Sequence, residues 1–260
     1  MFQRFLERDQ RLEHLDTGDY TAEEFEGCLI ELRRINRWLG DSGALRRSLL
    51  AEVELAGLRN FSVLDVGAGS GELLRVIGRW TMAKEGQVNL VGLELNARSA
   101  RAILDESRSR RMVLSVQGDG RQLPFVDNQF DYVICSLFTH HFSNKMTVGI
   151  LREMGRVARR RIFVIDLHRH PIAYYLYKTL GRLFLYNRLI REDGALSILR
   201  SFKADELKRL ARRADLDNVE VERRFPFRLV LSARPEAPAT SVDRLGGKRH
   251  LKQWLPRQAD

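Results

Sequence analysis

Apolar positions along the chain follow two rhythms, and from about residue 60 onward the two take turns. "FSVLDV" (61–66) is a short, nearly continuous apolar run, whereas "GELLRVIGRW" repeats apolar residues at helical spacing through Leu73, Leu74 and Ile77. The alternation continues with strand-like "VNLVGLEL", then helix-like "NARSARAILDESRSR" with Asn96 as its cap. "MVLSVQGD", "FDYVICSLF" and "RRIFVIDL" supply three more strands, and "NKMTVGILREMGRVAR" a helix between the last two. Strands and helices in turn predict parallel strands joined by right-handed crossovers, an α/β sheet covered by helices on both faces. The near-continuous apolar strands agree, because a strand covered on both sides has no wet face.

Two segments flank this pattern. Ahead of it, "TAEEFEGCLIELRRINRWLG" opens with a capping box, Thr21 with Glu24, and carries an apolar stripe through Phe25, Cys28, Leu29, Leu32 and Ile35 before Gly40 stops it. A further helix is expected in "ALRRSLLAEVELAG". After the fifth strand come the tyrosine-rich "HPIAYYLYKTLGRLFLYNRLI" and a helix in "ADELKRLARRA". Strand-like "VEVERRF" and "FRLVLSA" follow, joined tightly through Pro226. The expected organisation is an N-terminal helical cap (1–58), a core (59–234) with a lid-like insert (168–192), and a linker-like tail (235–260) opening with "PEAPAT". No internal repeat is visible.

Composition narrows the classes. A chain of 260 residues, 44% hydrophobic, can bury one large core. No window offers about 18 uninterrupted apolar residues, which argues against a membrane span. The opening "MFQRFLERDQRLEHLD" has no signal-peptide core. Two cysteines, Cys28 and Cys135, sit in apolar runs; they fit a reducing cytoplasm and neither a disulfide framework nor a zinc site. The net charge of +10 concentrates in "RVARRR" and "LKRLARR", which read as final helix turns whose cations complement the carbonyl end of the dipole. The other reading is a basic surface drawn to an anionic substrate, RNA or membrane.

The loop "VLDVGAGSGEL" follows the first strand, at the sheet edge where open α/β folds bind ligands. Gly67, Gly69 and Gly71 allow a sharp turn and close approach by a ligand. The spacing is Gly-x-Gly-x-Gly; Glu72 stands where a dinucleotide loop has its third glycine, and no Gly-Lys-Ser/Thr follows, so a P-loop is excluded. Glu94 ends the second strand, where a carboxylate accepts from both hydroxyls of a ribose. Asp119 follows the third strand, placed to accept from an adenine amino group, with Gly120 allowing close approach.

"VLDVGAGSGEL", "VGLELN", "GDGRQLPF", "FDYVICSLFTHHF" and "ILREMGRVARRRIFVIDL" together resemble the successive motifs of class I S-adenosylmethionine (SAM)-dependent methyltransferases, over about residues 60–232. The resemblance implies a Rossmann-like seven-stranded sheet of order 3-2-1-4-5-7-6 with strand 7 antiparallel. It implies that the loop from Asp65 through Gly67, Ala68, Gly69 and Gly71 holds the methionine end of SAM. Glu94 would bind the ribose, Leu95 flank the adenine, Asp119 with Gly120 read its edge, and Ser136 border the cofactor. Within the superfamily the chain looks most like small-molecule enzymes of the ubiquinone/menaquinone-biosynthesis type.

The end of the fourth strand, "SLFTHHF", is where the superfamily places residues beside the transferring methyl. No Asn/Asp-Pro-Pro-Tyr/Phe stands there, which argues against nucleic-acid or protein amide nitrogen as acceptor. His140 and His141 offer imidazoles suited to general-base work. They equally suit a helix cap packed on Phe138 and Phe142. Asp166 is placed to orient a histidine or a substrate hydroxyl, and His168 borders the same cleft. Tyr174, Tyr175, Tyr177 and Tyr186 suit a flat or oily acceptor, an amphipathic helix on the core, or an interfacial helix near membrane lipid. Trp38, Phe2, Phe5 and Leu39 are placed to close the other side. The expectation is methyl transfer to a small aromatic or polyketide-like acceptor, at a hydroxyl oxygen. The alternatives are carbon methylation of a quinone precursor at a membrane surface, a non-catalytic SAM-binding domain and, last, an RNA enzyme.

Overall fold

The computed structural model describes residues 3–21, 23–24, 26–28, 31, 40–107 and 113–236. Phe2, Phe25, Leu29, Leu32, Ile35, Trp38, Leu39 and the tail beyond 236 lie outside the described residues, so the expectations placed on them stay expectations.

A short helix, His14–Thr17 (α1), precedes a bent helical stretch. There Asp41–Leu45 (α2) passes through a wider π turn at Arg46–Leu50 into Ala51–Leu55 (α3). The alternating half follows: Asn60–Val66 (β1), Glu72–Ala83 (α4), Gln87–Glu94 (β2), Ala97–Ser107 (α5) and Val113–Gln117 (β3). Next come Phe130–Ser136 (β4), Asn144–Val157 (α6) and Ala158–Leu167 (β5). A helical hairpin, Pro171–Phe184 (α7) and Arg188–Arg200 (α8), leads to Ala204–Arg212 (α9), Leu216–Arg224 (β6) and Arg228–Pro235 (β7).

The seven strands form one sheet of order β3-β2-β1-β4-β5-β7-β6. β1 to β5 run parallel, and β7 runs antiparallel to both β5 and β6. This is the topology the motif series implied. Period-2 alternation splits each central strand between two cores. Val133 and Cys135 of β4 face one layer, where Leu151 and Met154 of α6 and Leu207 and Leu210 of α9 cover them. Tyr132 and Ile134 face the other, under Leu45, Leu49, Leu74 and Ile77. Each fully buried aliphatic side chain of this kind contributes about 1.5–3 kcal/mol, so both layers anchor the strand ends at which the loops meet.

Two local expectations change and a third holds. α6 ends at Val157, and Arg159, Arg160 and Arg161 begin β5 instead of closing the helix. These strand arginines are anchored: Arg159 donates to the carbonyls of Asn128 and Gln129, Arg159 and Arg160 pair with Asp131, and Arg161 lies 3.6 Å from Glu52. The insert runs to Arg200, eight residues past its expected end. Asn187 caps α8 by accepting from Leu189 and Ile190, and the helix closes only where Ser201 begins an extended segment. At the N-terminus the capping box forms as read, with Glu24 N–H donating to Thr21 Oγ1 and Thr21 N–H to Glu24 Oε2.

Candidate active site

The glycine loop is shaped by left-handed backbone. Gly67, Gly69 and Gly71 have φ of +72°, +55° and +75°, angles that cost a residue with a side chain about 1–2 kcal/mol. Gly67 has a further reason: a Cβ there would lie 2.4 Å from Cδ2 of Phe138. Gly69 faces open space, with nothing within 4 Å of where its Cβ would be. Ala68 and Gly67 donate their N–H groups to the carbonyl of Leu93, which ties the loop to β2.

Around this loop two carboxylates differ in satisfaction. Glu94 accepts from Gly69 N–H at 3.0 Å through Oε2 and from Asn96 N–H at 3.1 Å through Oε1, and each oxygen keeps a lone pair. Asp65 is buried, and its Oδ1 has no hydrogen-bond partner. Burial, with the charge of Glu94 adding to it, pushes the Asp65 carboxyl up to about 8. An orphaned acid beneath an open glycine cradle, with a half-satisfied carboxylate alongside, fits a ligand that brings an ammonium and a ribose. SAM carries both.

Asp119 stands at the loop after β3 with its carboxylate bound by Arg121, whose Nε and Nη2 donate at 2.6–3.0 Å; the pair is partly exposed, and the carboxylate keeps lone pairs for a further donor. The short spacing lets the guanidinium fold back on its own loop. Gly120 keeps its reason, since a Cβ there would meet Val66 at 2.8 Å and Phe138 at 2.9 Å. Leu95 is largely exposed at the rim, and Ser136 sits half-buried at the end of β4.

Beyond β4 the chain turns through Leu137, a non-glycine residue at φ +50°, into a single 3-10 turn, Thr139–His141. Phe138 lies against Gly67, Gly120 and Phe142 on the cofactor side, while Leu137 lines a cavity on the other. His140 is buried, and its Nδ1 lies 2.6 Å from Oδ1 of Asp166. Asp166 is fully buried and also accepts from Thr139 Oγ1 at 2.5 Å and from the N–H groups of His140 and Leu167. Burial alone would raise this acid, but the His140 charge and these donors hold it down at about 2. An ionised Asp166 accepts the hydrogen bond of Nδ1–H, which keeps the proton on Nδ1 and leaves the lone pair on Nε2, on the cavity side.

His141, expected as the equal of His140, is different. Its Nδ1 lies 2.9 Å from Asp16, and its carbonyl accepts from Arg200. The two imidazoles lie side by side, their ring centroids 4.3 Å apart, but Asp166 bonds His140 and Asp16 bonds His141. Glu13 closes the group from the N-terminal segment. Its Oε1 lies 3.9 Å from His140 Nε2 and 3.7 Å from Arg200 Nη1, and its Oε2 is 3.8 Å from His141 Nδ1. Burial lifts the Glu13 carboxyl to about 7, against the opposing charges of His141 and Arg200. Glu13, His140 and His141 stand close enough to share a cation. Arg200 and the Asp16 bond already occupy two of those directions.

Sequence reasoning missed Glu13 and the segment that delivers it. Asp193 of α8 accepts from the N–H groups of His14 and Leu15, pinning α1. Arg8 donates to the carbonyls of His140, Phe142 and Arg200 while its guanidinium lies over Phe202. Buried Arg169 donates to the carbonyls of Phe5, Leu6 and Ser201 and pairs with Glu206. None of these contacts has a short-range signature, because each joins residues more than 30 positions apart.

The cavity has a volume of about 560 Å³ and a mostly apolar wall, including Leu15, Leu176, Leu180, Leu189, Ile198 and Phe227. Glu13, His140 and His141 are polar members of that wall. Tyr177 lines it with its hydroxyl committed to the carbonyl of Ile190. Tyr174 does not reach the cavity; it is buried against Phe5 and Tyr175, where two further rings and Arg4 satisfy it better than solvent would. Tyr186 is exposed. His168 lines the wall, and burial with neighbouring His170 and Arg223 depresses it to about 4. His170 caps α7 and stacks on Phe227.

Fold, glycine cradle and strand-end carboxylates place the chain in the class I SAM-dependent methyltransferase superfamily, with SAM as its cofactor. The profile of a family described as "Methyltransferase domain" matches residues 63–161. Among curated proteins, the chain is 31% identical to a demethylmenaquinone methyltransferase of Roseiflexus sp. (strain RS-1), over 49% of this chain and 50% of that one. It thus spans about half the length of that relative. It is 26% identical to a protein of the same name from Staphylococcus aureus (strain MRSA252), over 63% of this chain and 70% of the other. Among solved structures, a SAM-dependent methyltransferase from Aquifex aeolicus superposes with a TM-score of 0.55 at 17% identity, covering 79% of this chain and 95% of that one. The PH0226 protein of Pyrococcus horikoshii OT3 gives 0.56 at 17% identity, over 79% and 99%. At such identities the structural likeness speaks to fold alone.

Proposed function

We propose that the protein transfers the methyl group of SAM to a hydroxylated aromatic ring that carries an apolar substituent, at a ring carbon beside the hydroxyl. The observation that carries this reading is the apolar cavity of about 560 Å³ with a buried imidazole–carboxylate pair at its polar end. An oily substituent gains about 25 cal/mol for each Å² of surface it loses to such a wall. Bound SAM supplies a methyl on a positively charged sulfur. The chain's own residues do the rest: the wall orients the ring, His140 Nε2 takes the hydroxyl proton, and Asp166 stabilises the imidazolium so formed. The resulting ring anion is nucleophilic at the oxygen and at the adjacent carbons. Carbon is favoured over the oxygen expected from sequence because the curated relatives bear the name of a quinone-ring methyltransferase.

The test supplies purified protein with SAM labelled in its methyl group. It compares a short-chain prenylated naphthoquinol, the same quinol without its chain, and a simple phenol. The expected result is label in a ring-bound CH3, seen by NMR, with kcat/KM highest for the prenylated quinol. Label in a methoxy group would restore the oxygen reading. SAM binding without transfer to any of the three would leave a cofactor-binding module.

A further inference from the structure

Glu13 is a buried acid at the cavity that the mechanism above leaves unused, and it reaches the site from a segment more than 100 residues away in sequence. Its Oε1 has no hydrogen-bond partner and stands 3.9 Å from His140 Nε2. An oxygen placed at an ordinary hydrogen-bond distance of about 2.7 Å from both atoms would see them at an angle of roughly 90°, acceptable for one donor and one acceptor on a single hydroxyl.

We propose that Glu13 and His140 grip one hydroxyl oxygen of the acceptor from two sides, the carboxyl donating to that oxygen while the imidazole takes its proton. Glu13 is therefore a catalytic residue, and the acceptor is a phenol or quinol whose oxygen bears the charge at the moment of transfer. This rests on the methyl-transfer reading above and says which group stabilises its anion. The step balances. The acceptor O–H bond breaks and its proton passes to His140 Nε2. A ring carbon then bonds to the methyl as the carbon–sulfur bond breaks onto sulfur. The ring C–H proton is lost to solvent, and the hydroxyl proton returns from His140. The donor role requires a protonated carboxyl. Burial favours that form, with Asp16 in the same direction, while His141 and Arg200 oppose it and Ser197 hydrogen-bonds to the ionised form. His140 faces Glu13 from the 3-10 turn, and Asp193 pins the α1 backbone beside it.

The experiment compares wild type with Glu13→Gln and Glu13→Ala in two readouts. The first uses 4-nitrophenol, whose ionised form absorbs visible light, and needs neither SAM nor turnover. Wild type and Glu13→Gln are expected to bind the probe with its ionisation shifted to lower pH, and Glu13→Ala to lose most of that shift. The second is the pH profile of kcat. Wild-type turnover falls as pH rises through about 7, where the carboxyl ionises. Glu13→Gln keeps its amide donor and loses that fall, and Glu13→Ala drops about 10- to 100-fold throughout, the scale of one charge-assisted hydrogen bond. Two outcomes overturn the proposal: Gln and Ala variants that behave alike in both readouts, or turnover that requires an added divalent cation and is abolished by a chelator. If no protein transfers methyl to any ring, the probe readout still decides Glu13 by itself.

Discussion

Replacing Asp65 by Asn separates what the buried acid costs the fold from what it does for the cofactor. Asp65 has no partner for Oδ1, and its folded-state value of about 8 stands far above an ordinary aspartate. Because the folded state raises this carboxyl, it holds a proton that the unfolded chain releases. Its contribution to stability is fully present below about pH 4 and is lost as pH climbs through 8. Roughly four pH units of displacement correspond to about 5 kcal/mol, of which about 4 is already lost at pH 7. Asp65→Asn has nothing to titrate there. Urea denaturation at pH 4.5, 6, 7 and 8.5 should show the wild type losing several kcal/mol relative to the variant across that range. Titration calorimetry should show the variant binding S-adenosylhomocysteine at least about tenfold more weakly, the worth of a buried charged hydrogen bond. Near pH 6–7 the wild type should release close to one proton on binding, as the ligand's ammonium draws the carboxylate out; the variant should release none. Parallel stability curves and equal proton release would refute the argument that Asp65 is an unpaired acid awaiting a cation.

Gly67→Ala should lose about 1–3 kcal/mol of stability, because the new methyl meets Phe138 at 2.4 Å on left-handed backbone. Adding Phe138→Ala should recover part of it in thermal melts, and no recovery would move the cause from contact to backbone alone. Asp166→Asn should lower kcat by about 10²-fold or more with little change in SAM affinity, since it removes the charge that fixes and stabilises His140. The same variant has a signature in acid. A carboxyl depressed to about 2 stabilises the fold above about pH 4 and loses that contribution as pH falls through 2. The wild type should therefore lose roughly 2–3 kcal/mol over that window that the variant does not.

The cofactor half of the site was legible because its signals are local. A strand, a loop of glycines and a carboxylate at the next strand's end all lie between Asn60 and Glu94, and sheet order brings consecutive strand ends together. Asp119 is as local: the sequence places the acid at that edge, and what the structure adds is Arg121, two residues on, whose guanidinium takes both carboxylate oxygens. The RVARRR run failed: its charges suit a helix end, but the apolar run that follows draws the strand back to Ala158.

The acceptor half was legible only as a list of residues, because nothing in their spacing says which of them meet. His140 and Asp166 sit at the ends of adjacent parallel strands, so their meeting follows from the sheet once β4 and β5 are paired. Tyr174 and Tyr177 lie three positions apart on one helix, yet one is spent on Phe5 and the other faces the cavity, and the difference is set by what packs on α7. That packing comes from the N-terminal segment. Phe5 fills the space beside Tyr174, Arg8 ties the same segment to the carbonyls of the 3-10 turn, and Asp193 orders α1. Glu13 therefore arrives beside His140 through capping and arginine contacts, and not through sheet topology. The wall that completes the acceptor site is consequently the part of this architecture most open to change, since altering the N-terminal segment reshapes the cavity while leaving the glycine cradle on β1 and β2 untouched.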